Sequence, residues 1–215
     1  LYYKPKKAGF SFDKFGFIER SGFKLENFQA QLVLNDSSLQ VNELSVNTGH
    51  SDLEGDFNLE YPSLVAVMDE PEKASMALAI QNINLGVEDA YYFAPSLKYN
   101  PYLKTCERKS FNASLLASGN RNKVRLKEIA AKWGKSTSMD ISGTLSNPLD
   151  TDRLAWDLDE FNFISTAADL NLFTPEDSLG IKYPQSLDLS VSSAGSLDDF
   201  NLEAVLQAYN ASVVL

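Results

Sequence analysis

The residue types of a nucleophilic triad stand side by side in Gly49-His50-Ser51-Asp52. A serine nucleophile needs a histidine within hydrogen-bond reach, but neighbouring residues of an extended strand point to opposite faces. The pattern Gly-x-Ser-x-Gly, which presents such a serine on a sharp turn in hydrolases, does not occur here. We therefore interpret Ser51 as a turn residue that caps backbone groups, and we predict no catalytic residues and no enzymatic activity.

Two acidic pairs are the next candidates for chemistry. Asp150-Thr151-Asp152 lacks the glycine and the distal glutamate of a calcium-binding loop. Asp157 and Asp159 are two residues apart, so they share one face of a strand, and we interpret them as solvated charges. The one cysteine, Cys106, and the one histidine cannot build a zinc site between them. The sequence thus predicts no metal and no cofactor.

The overall composition excludes one class of partner. The 215 residues are 44% hydrophobic and 22% charged, as in ordered proteins, and the formal net charge is -10. A surface of that sign repels phosphate backbones, so we expect no nucleic-acid partner. No run of apolar residues is long enough to span a bilayer. Because the chain starts at Leu1 and stops within an apparent strand, we expect it to be a piece of a longer protein.

Alternating apolar and polar residues recur along the chain and predict strands with one apolar and one polar face. In residues 53–59, for example, Leu, Gly, Phe and Leu alternate with Glu, Asp and Asn. Turn-forming clusters at residues 35–38, 118–122 and 193–196 separate such runs. Their close spacing is typical of antiparallel architectures, so the sequence predicts a mainly β fold.

Two segments interrupt the alternation and indicate short helices. Residues 87–93 are followed by Pro95, and residues 166–173 are followed by Pro175. Each has the length of one or two helical turns stopped by proline. In the second segment the spacing of apolar residues does not decide between helix and strand.

Several features recur in the same order and indicate an internal repeat. Gly49-His50-Ser51 matches Gly134-Lys135-Ser136, and Phe93-Ala94-Pro95 matches Phe173-Thr174-Pro175. Successive units are about 80 residues apart and would bury their apolar faces against one another. The predicted division is the end of one unit at residues 1–38, two repeat units at 39–123 and 124–199, and the start of another at 200–215.

The apolar face of the predicted strands is the remaining candidate site. An ordinary sandwich core is the simpler interpretation of such a face. The alternative is a long, curled sheet whose concave apolar face holds lipid tails, and periodicity does not separate the two. The residues predicted to line such a groove are Leu53, Phe57, Leu59, Leu78, Ile80, Leu115, Leu126, Met139, Ile141, Leu154, Trp156, Leu158, Leu187, Leu189 and Val191.

The chain resembles TamB-like proteins of the AsmA-like superfamily, the translocation and assembly modules, particularly those of the Bacteroidota. The resemblance rests on Arg20-Ser21-Gly22-Phe23 and on residues 28–64 (FQAQLVLNDSSLQVNELSVNTGHSDLEGDFNLEYPSL). The same pattern of turns and alternating residues recurs in residues 93–95 (FAP), 133–136 (WGKS), 143–150 (GTLSNPLD) and 195–202 (GSLDDFNL). Its motifs are turns and alternation, spread over most of the chain.

The resemblance implies an elongated, curled antiparallel sheet, a β-taco groove, that crosses the periplasm from an inner-membrane anchor outside this chain. It implies a non-enzymatic protein whose groove carries the acyl chains of phospholipids toward the outer membrane. It also implies an alternative function, a scaffold for the translocation and assembly of outer-membrane proteins, of the autotransporter type, with a TamA-like barrel. The family has no catalytic residues to carry over.

Overall fold

The computed structural model describes residues 7–107, 111–173 and 182–209, which form one eleven-stranded antiparallel sheet and a few short helices. The mainly β prediction is therefore confirmed. The strands are β1 (Ala8–Ile18), β2 (Lys24–Leu34), β3 (Ser38–Asn47), β4 (Asp52–Glu60), β5 (Ser75–Leu85), β6 (Phe111–Gly119), β7 (Lys123–Trp133), β8 (Thr137–Ser146), β9 (Ala155–Thr166), β10 (Ser186–Ser196) and β11 (Phe200–Tyr209).

Each strand pairs with the strands before and after it in the chain, so the sheet is a simple meander from β1 to β11. The sheet is open and not strongly curled, which corrects the expectation of a strongly curled trough. Alternation specifies that a sheet has two unlike faces, but curvature depends on twist and on bulges, which alternation does not encode. Register shifts, which mark β-bulges or similar irregularities, occur in every strand pairing except β10–β11.

The short helices lie in the connections at the two ends of the sheet. At one end, here called the helical end, are α2 (Val87–Phe93), α3 (Pro101–Cys106), α4 (Ala167–Phe173) and the 3-10 helix Pro95–Tyr99. At the other end are α1 (Ala66–Asp69) and the 3-10 helices Pro71–Lys73 and Thr151–Arg153.

Both predicted helical breaks are confirmed. Val87–Phe93 is helical over its whole predicted length, and the second break is a helix at Ala167–Phe173, one residue later than expected. Pro95 opens the next 3-10 helix, while Pro175 lies outside the described residues. α1 and α3 were not predicted.

If α1, α3 and the 3-10 helices are left aside, the order of three strands, a helix and a fourth strand occurs twice. β3, β4 and β5 precede α2 and β6, and β7, β8 and β9 precede α4 and β10. The division of the chain into units at residues 39–123 and 124–199 stays a prediction.

The described residues contain few large buried side chains. The buried hydrophobic residues are Ala30, Tyr61, Ala74, Ile80, Tyr91, Ala117, Val124 and Ala131, of which half are alanines. The chain exposes 14285 Å², whereas a compact monomer of 23.8 kDa exposes about 9,900 Å². The fold is therefore a single layer with local helical cover rather than a sandwich around a sealed core.

Candidate functional site

Rows of directly opposite residues cross the sheet from edge to edge, and we call each such row a lane. The central lane crosses all eleven strands with apolar or small side chains. It comprises Phe10, Leu32, Val41, Phe57, Leu78, Ala117, Leu126, Gly143, Leu158, Ser193 and Leu202.

A second lane on the same face lies nearer the helical end, and we call it the helix-side lane. It is apolar at every position. It comprises Phe15, Phe28, Val46, Leu53, Ile83, Ala113, Ala131, Met139, Phe163, Leu189 and Leu206. On β4, for example, Phe57 and Leu53 are four residues apart and therefore point to the same face, so the two rows belong to one apolar surface.

The residues predicted from the sequence to line a groove lie on this face, with one exception. Leu154 lies outside the strands, in the connection before β9, so it takes no part in a lane. The alternation predicts that the strand begins at Leu154, but Leu154 directly follows the 3-10 helix Thr151–Arg153 and β9 begins at Ala155.

The apolar face is only partly covered. Ile80 is 8% exposed, but the other predicted lining residues are half-buried. At the two edge strands the exposure rises, with Phe10 at 58% and Leu206 at 60%. A layer that sealed the face would leave its large side chains buried.

The opposite face of the sheet is polar. Asn47, Asp52, Asn84 and Asn112 follow one another directly across β3, β4, β5 and β6. On the same face Arg125 pairs with Asp159 at 2.6 Å, which agrees with the interpretation of that carboxylate as a solvated charge. The two faces therefore differ in chemistry over the whole width of the sheet.

Helices α2 and α3 cover the apolar face at the helical end, and we call them the roof. Beneath the roof is a half-enclosed cavity of about 580 Å³. Its floor includes Leu53, Phe111 and Trp133 from the sheet, and its roof includes Val87, Ala90 and Leu103. We call this cavity the roofed pocket.

Aromatic contacts connect the roof to the sheet. The ring of Phe23, in the β1–β2 turn, lies 5.6 Å from that of Tyr92 and 5.3 Å from that of Phe93. Within the sheet beneath the helices, the ring of Trp133 on β7 lies 5.9 Å from that of Phe111 on β6 and 5.8 Å from that of Phe163 on β9. Each such pair stabilises by about 1 kcal/mol beyond the burial of its area.

A buried carboxylate fastens each helical connection to a hairpin turn. Asp169 of α4 is 3% exposed and accepts hydrogen bonds from the backbone nitrogens of Lys135 (3.1 Å) and Ser136 (2.8 Å) and from Oγ1 of Thr137 (2.9 Å). Asp89 of α2 is 8% exposed and accepts a hydrogen bond from Thr48.

The hydrogen bonds at Asp169 determine its protonation. Burial by itself raises the pKa of this carboxyl, but the bonds from Ser136, Lys135 and Thr137 together outweigh burial and hold the pKa below its ordinary value. Gly134 adopts φ 64 beneath it, and a Cβ there would overlap the carboxylate. The turn is therefore shaped around an ionised aspartate.

The triad-like segment at residues 49–52 is part of the corresponding turn. Oγ of Ser51 accepts a hydrogen bond from the backbone nitrogen of Gly86 at 3.1 Å, and the backbone nitrogen of Ser51 donates to Oγ1 of Thr48 at 3.0 Å. Ser51 thus caps the end of β5, as the turn interpretation expects. Asp150, the other acidic candidate, pairs with Arg153 at 2.7 Å.

Comparisons with known proteins give no relative: no family model, no curated protein and no solved structure matches the chain. Within the described ranges, no cluster of three or more His, Cys, Asp and Glu side chains is placed to hold a metal ion. Among those same residues, no helix has the length and apolar character needed to cross a membrane.

Proposed function

We propose that the chain is a non-enzymatic segment of a periplasmic bridge whose apolar face conducts phospholipids between the inner and outer membranes. The observation that carries this proposal is the pair of apolar lanes that run across all eleven strands. A face of this length that is only partly covered needs an apolar partner, and lipid acyl chains are long, apolar and mobile.

The mechanism is passive. Acyl chains lie along the lanes while their head groups stay in water at the sheet margin. Each Å² of apolar surface removed from water contributes about 25 cal/mol, so covering tails holds the lipid on the face. Since neighbouring positions of a lane are chemically alike, a chain moves from strand to strand without crossing a large barrier.

The resemblance to TamB-like proteins supplies the cellular setting of the proposal. In that setting the full protein is anchored in the inner membrane, and a TamA-like barrel receives it at the outer membrane.

Mass spectrometry of an organic extract of the purified chain tests the proposal. We expect phospholipid to co-purify in amounts comparable to the protein, and delipidated protein to take up phospholipid from vesicles. Protein purified under the same conditions with no bound lipid, and with no uptake, contradicts the proposal.

The second candidate is a scaffold that pairs with strands of outer-membrane proteins during assembly. The observation that favours it is that, among the residues the structure describes, β1 and β11 are the edge strands of the sheet and carry exposed apolar side chains, such as Phe12 and Val205. Open edges are templates for pairing with another strand. Proline in the middle of β11 together with proline in the middle of β1 weakens pairing at both edges and leaves lipid on the lanes, so the two functions respond differently to these changes.

A further inference from the structure

The roofed pocket differs from the rest of the apolar face because helices cover it. We propose that it is a binding site for one lipid acyl chain, which enters methyl end first from the helix-side lane. This inference rests on the proposed function, because it makes the pocket a resting place on the same path.

The size of the pocket suits one hydrocarbon chain. Apolar cavities as large as about 150 Å³ stay dry and accept benzene, so an apolar space of 580 Å³ favours a larger apolar guest over water. At roughly 30 Å³ for a group the size of a water molecule or a methylene, the space holds one chain of about sixteen to eighteen carbons. Two such chains do not fit.

The polar groups that line the pocket are engaged by the protein. The carboxylate of Asp89 accepts from Thr48, that of Asp52 accepts from Asn47, and Oγ of Ser51 accepts from Gly86. These groups hold the hairpin turn and the end of β5 in place. The remaining lining is mainly apolar, so the pocket suits a tail and leaves the head group outside.

The pocket is continuous with the proposed path. Leu53 contributes to its floor and is also a member of the helix-side lane. The next lane position is Ile83, on the neighbouring strand. A chain lying on that lane therefore reaches the pocket without leaving an apolar surface.

The two tryptophans of the chain allow the pocket and the open face to be observed separately. Trp133 lines the pocket, whereas Trp156 lies on the open face toward the opposite end of the sheet, opposite Leu145. The variant Trp156→Phe keeps only the pocket reporter, and Trp133→Phe keeps only the face reporter. The probe is stearic acid with a nitroxide near its methyl end, which quenches a tryptophan that it contacts.

We expect the probe to quench Trp133 saturably, at one molecule per chain. Adding Ala90→Phe fills the roof side of the pocket and weakens this quenching at least about tenfold. Ser96→Phe, which adds the same ring on the exposed surface outside the pocket, leaves the quenching unchanged. Far-ultraviolet circular dichroism checks that each variant is folded.

The outcomes separate this inference from the proposed function. Quenching of Trp156 without quenching of Trp133, or quenching of Trp133 that survives Ala90→Phe, overturns the pocket site and leaves the conducting face standing. Saturable quenching of Trp133 in a protein that takes up no phospholipid supports the pocket and overturns the proposed function. Absence of quenching at both tryptophans overturns the pocket and counts against the path that leads to it.

Discussion

Asp89 and Asp169 occupy the same place in the two helical connections, the third residue of α2 and of α4. Each carboxylate bonds to a hairpin turn: Asp169 accepts hydrogen bonds from two backbone nitrogens and a hydroxyl, and Asp89 accepts one from the hydroxyl of Thr48. Hydrogen bonds to an ionised carboxylate are roughly twice as strong as those between neutral groups, so each aspartate helps to hold its helix against the hairpin turn. Asp89 fastens α2 of the roof to the sheet, and Asp169 fastens α4, which contacts α3 of the roof.

We expect Asp169→Asn to lower the free energy of unfolding by about 2–4 kcal/mol at neutral pH, because an amide group is a weaker acceptor for these donors. Asp89→Asn is the matched control and costs about 1 kcal/mol, since Thr48 still finds an acceptor. Urea titrations measure both. Equal losses in the two variants contradict the assignment of Asp169 as the stronger anchor.

The pH dependence of that difference follows from the lowered pKa of Asp169. A carboxyl whose pKa is lower in the folded state stabilises the fold above its unfolded pKa, near 3.8, and this stabilisation is lost as pH falls through the lower, folded value. The difference in free energy of unfolding between the natural protein and Asp169→Asn, measured by urea titration at each pH, therefore becomes smaller below pH 3.8.

The anchoring role of Asp89 and Asp169 was not predicted from the sequence, and the reason is physical. Metal binding and acid–base catalysis need other side chains close in the sequence pattern, whereas an aspartate that accepts hydrogen bonds from a turn more than thirty residues away leaves no such local pattern. The signal was present, because matching Phe93-Ala94-Pro95 to Phe173-Thr174-Pro175 also places Asp89 on Asp169.

At the scale of elements, alternation predicted the strands because each strand has one apolar and one polar face. Helix α2 was predictable from its broken alternation and the following Pro95. The curvature of the sheet was not predictable, since bulges such as the one near Glu43, with φ 53, arise from the pairing of two strands. The roofed pocket was not predictable either, because α3 meets the sheet only in three dimensions.

A charge placed on the apolar face distinguishes an open surface from a sealed core. In a core, an unpaired charge costs several kcal/mol and unfolds the protein. We expect Ile141→Arg to fold within about 1 kcal/mol of the natural protein, because a half-buried arginine can reach water, and to lose bound phospholipid. Leu158→Asp behaves in the same way.

Ser142→Arg is the control for this change. It places the same side chain one residue away on the polar face, opposite Glu160. We expect it to keep both stability and lipid. Unfolding of Ile141→Arg together with Leu158→Asp indicates a sealed core instead.

At the scale of the whole molecule, the fold leaves a large area exposed. The 14285 Å² of accessible surface exceeds the value for a compact monomer of this mass by nearly half. Eleven strands spaced by about 4.8 Å make a sheet roughly 48 Å wide, with apolar lanes over that full width. An apolar face of this width favours an apolar partner that covers it, and we propose that this partner is lipid.

Photo-crosslinking along one lane in cells tests this central claim most directly. Crosslinkers at Phe57, Leu126 and Leu158 sample the central lane on β4, β7 and β9. Their chain neighbours Asn58, Arg125 and Asp157 sample the polar face at the same strands. We expect phospholipid adducts at the three lane positions and none at the three neighbours. Absence of lipid from the lane, or equal capture on both faces, contradicts the claim.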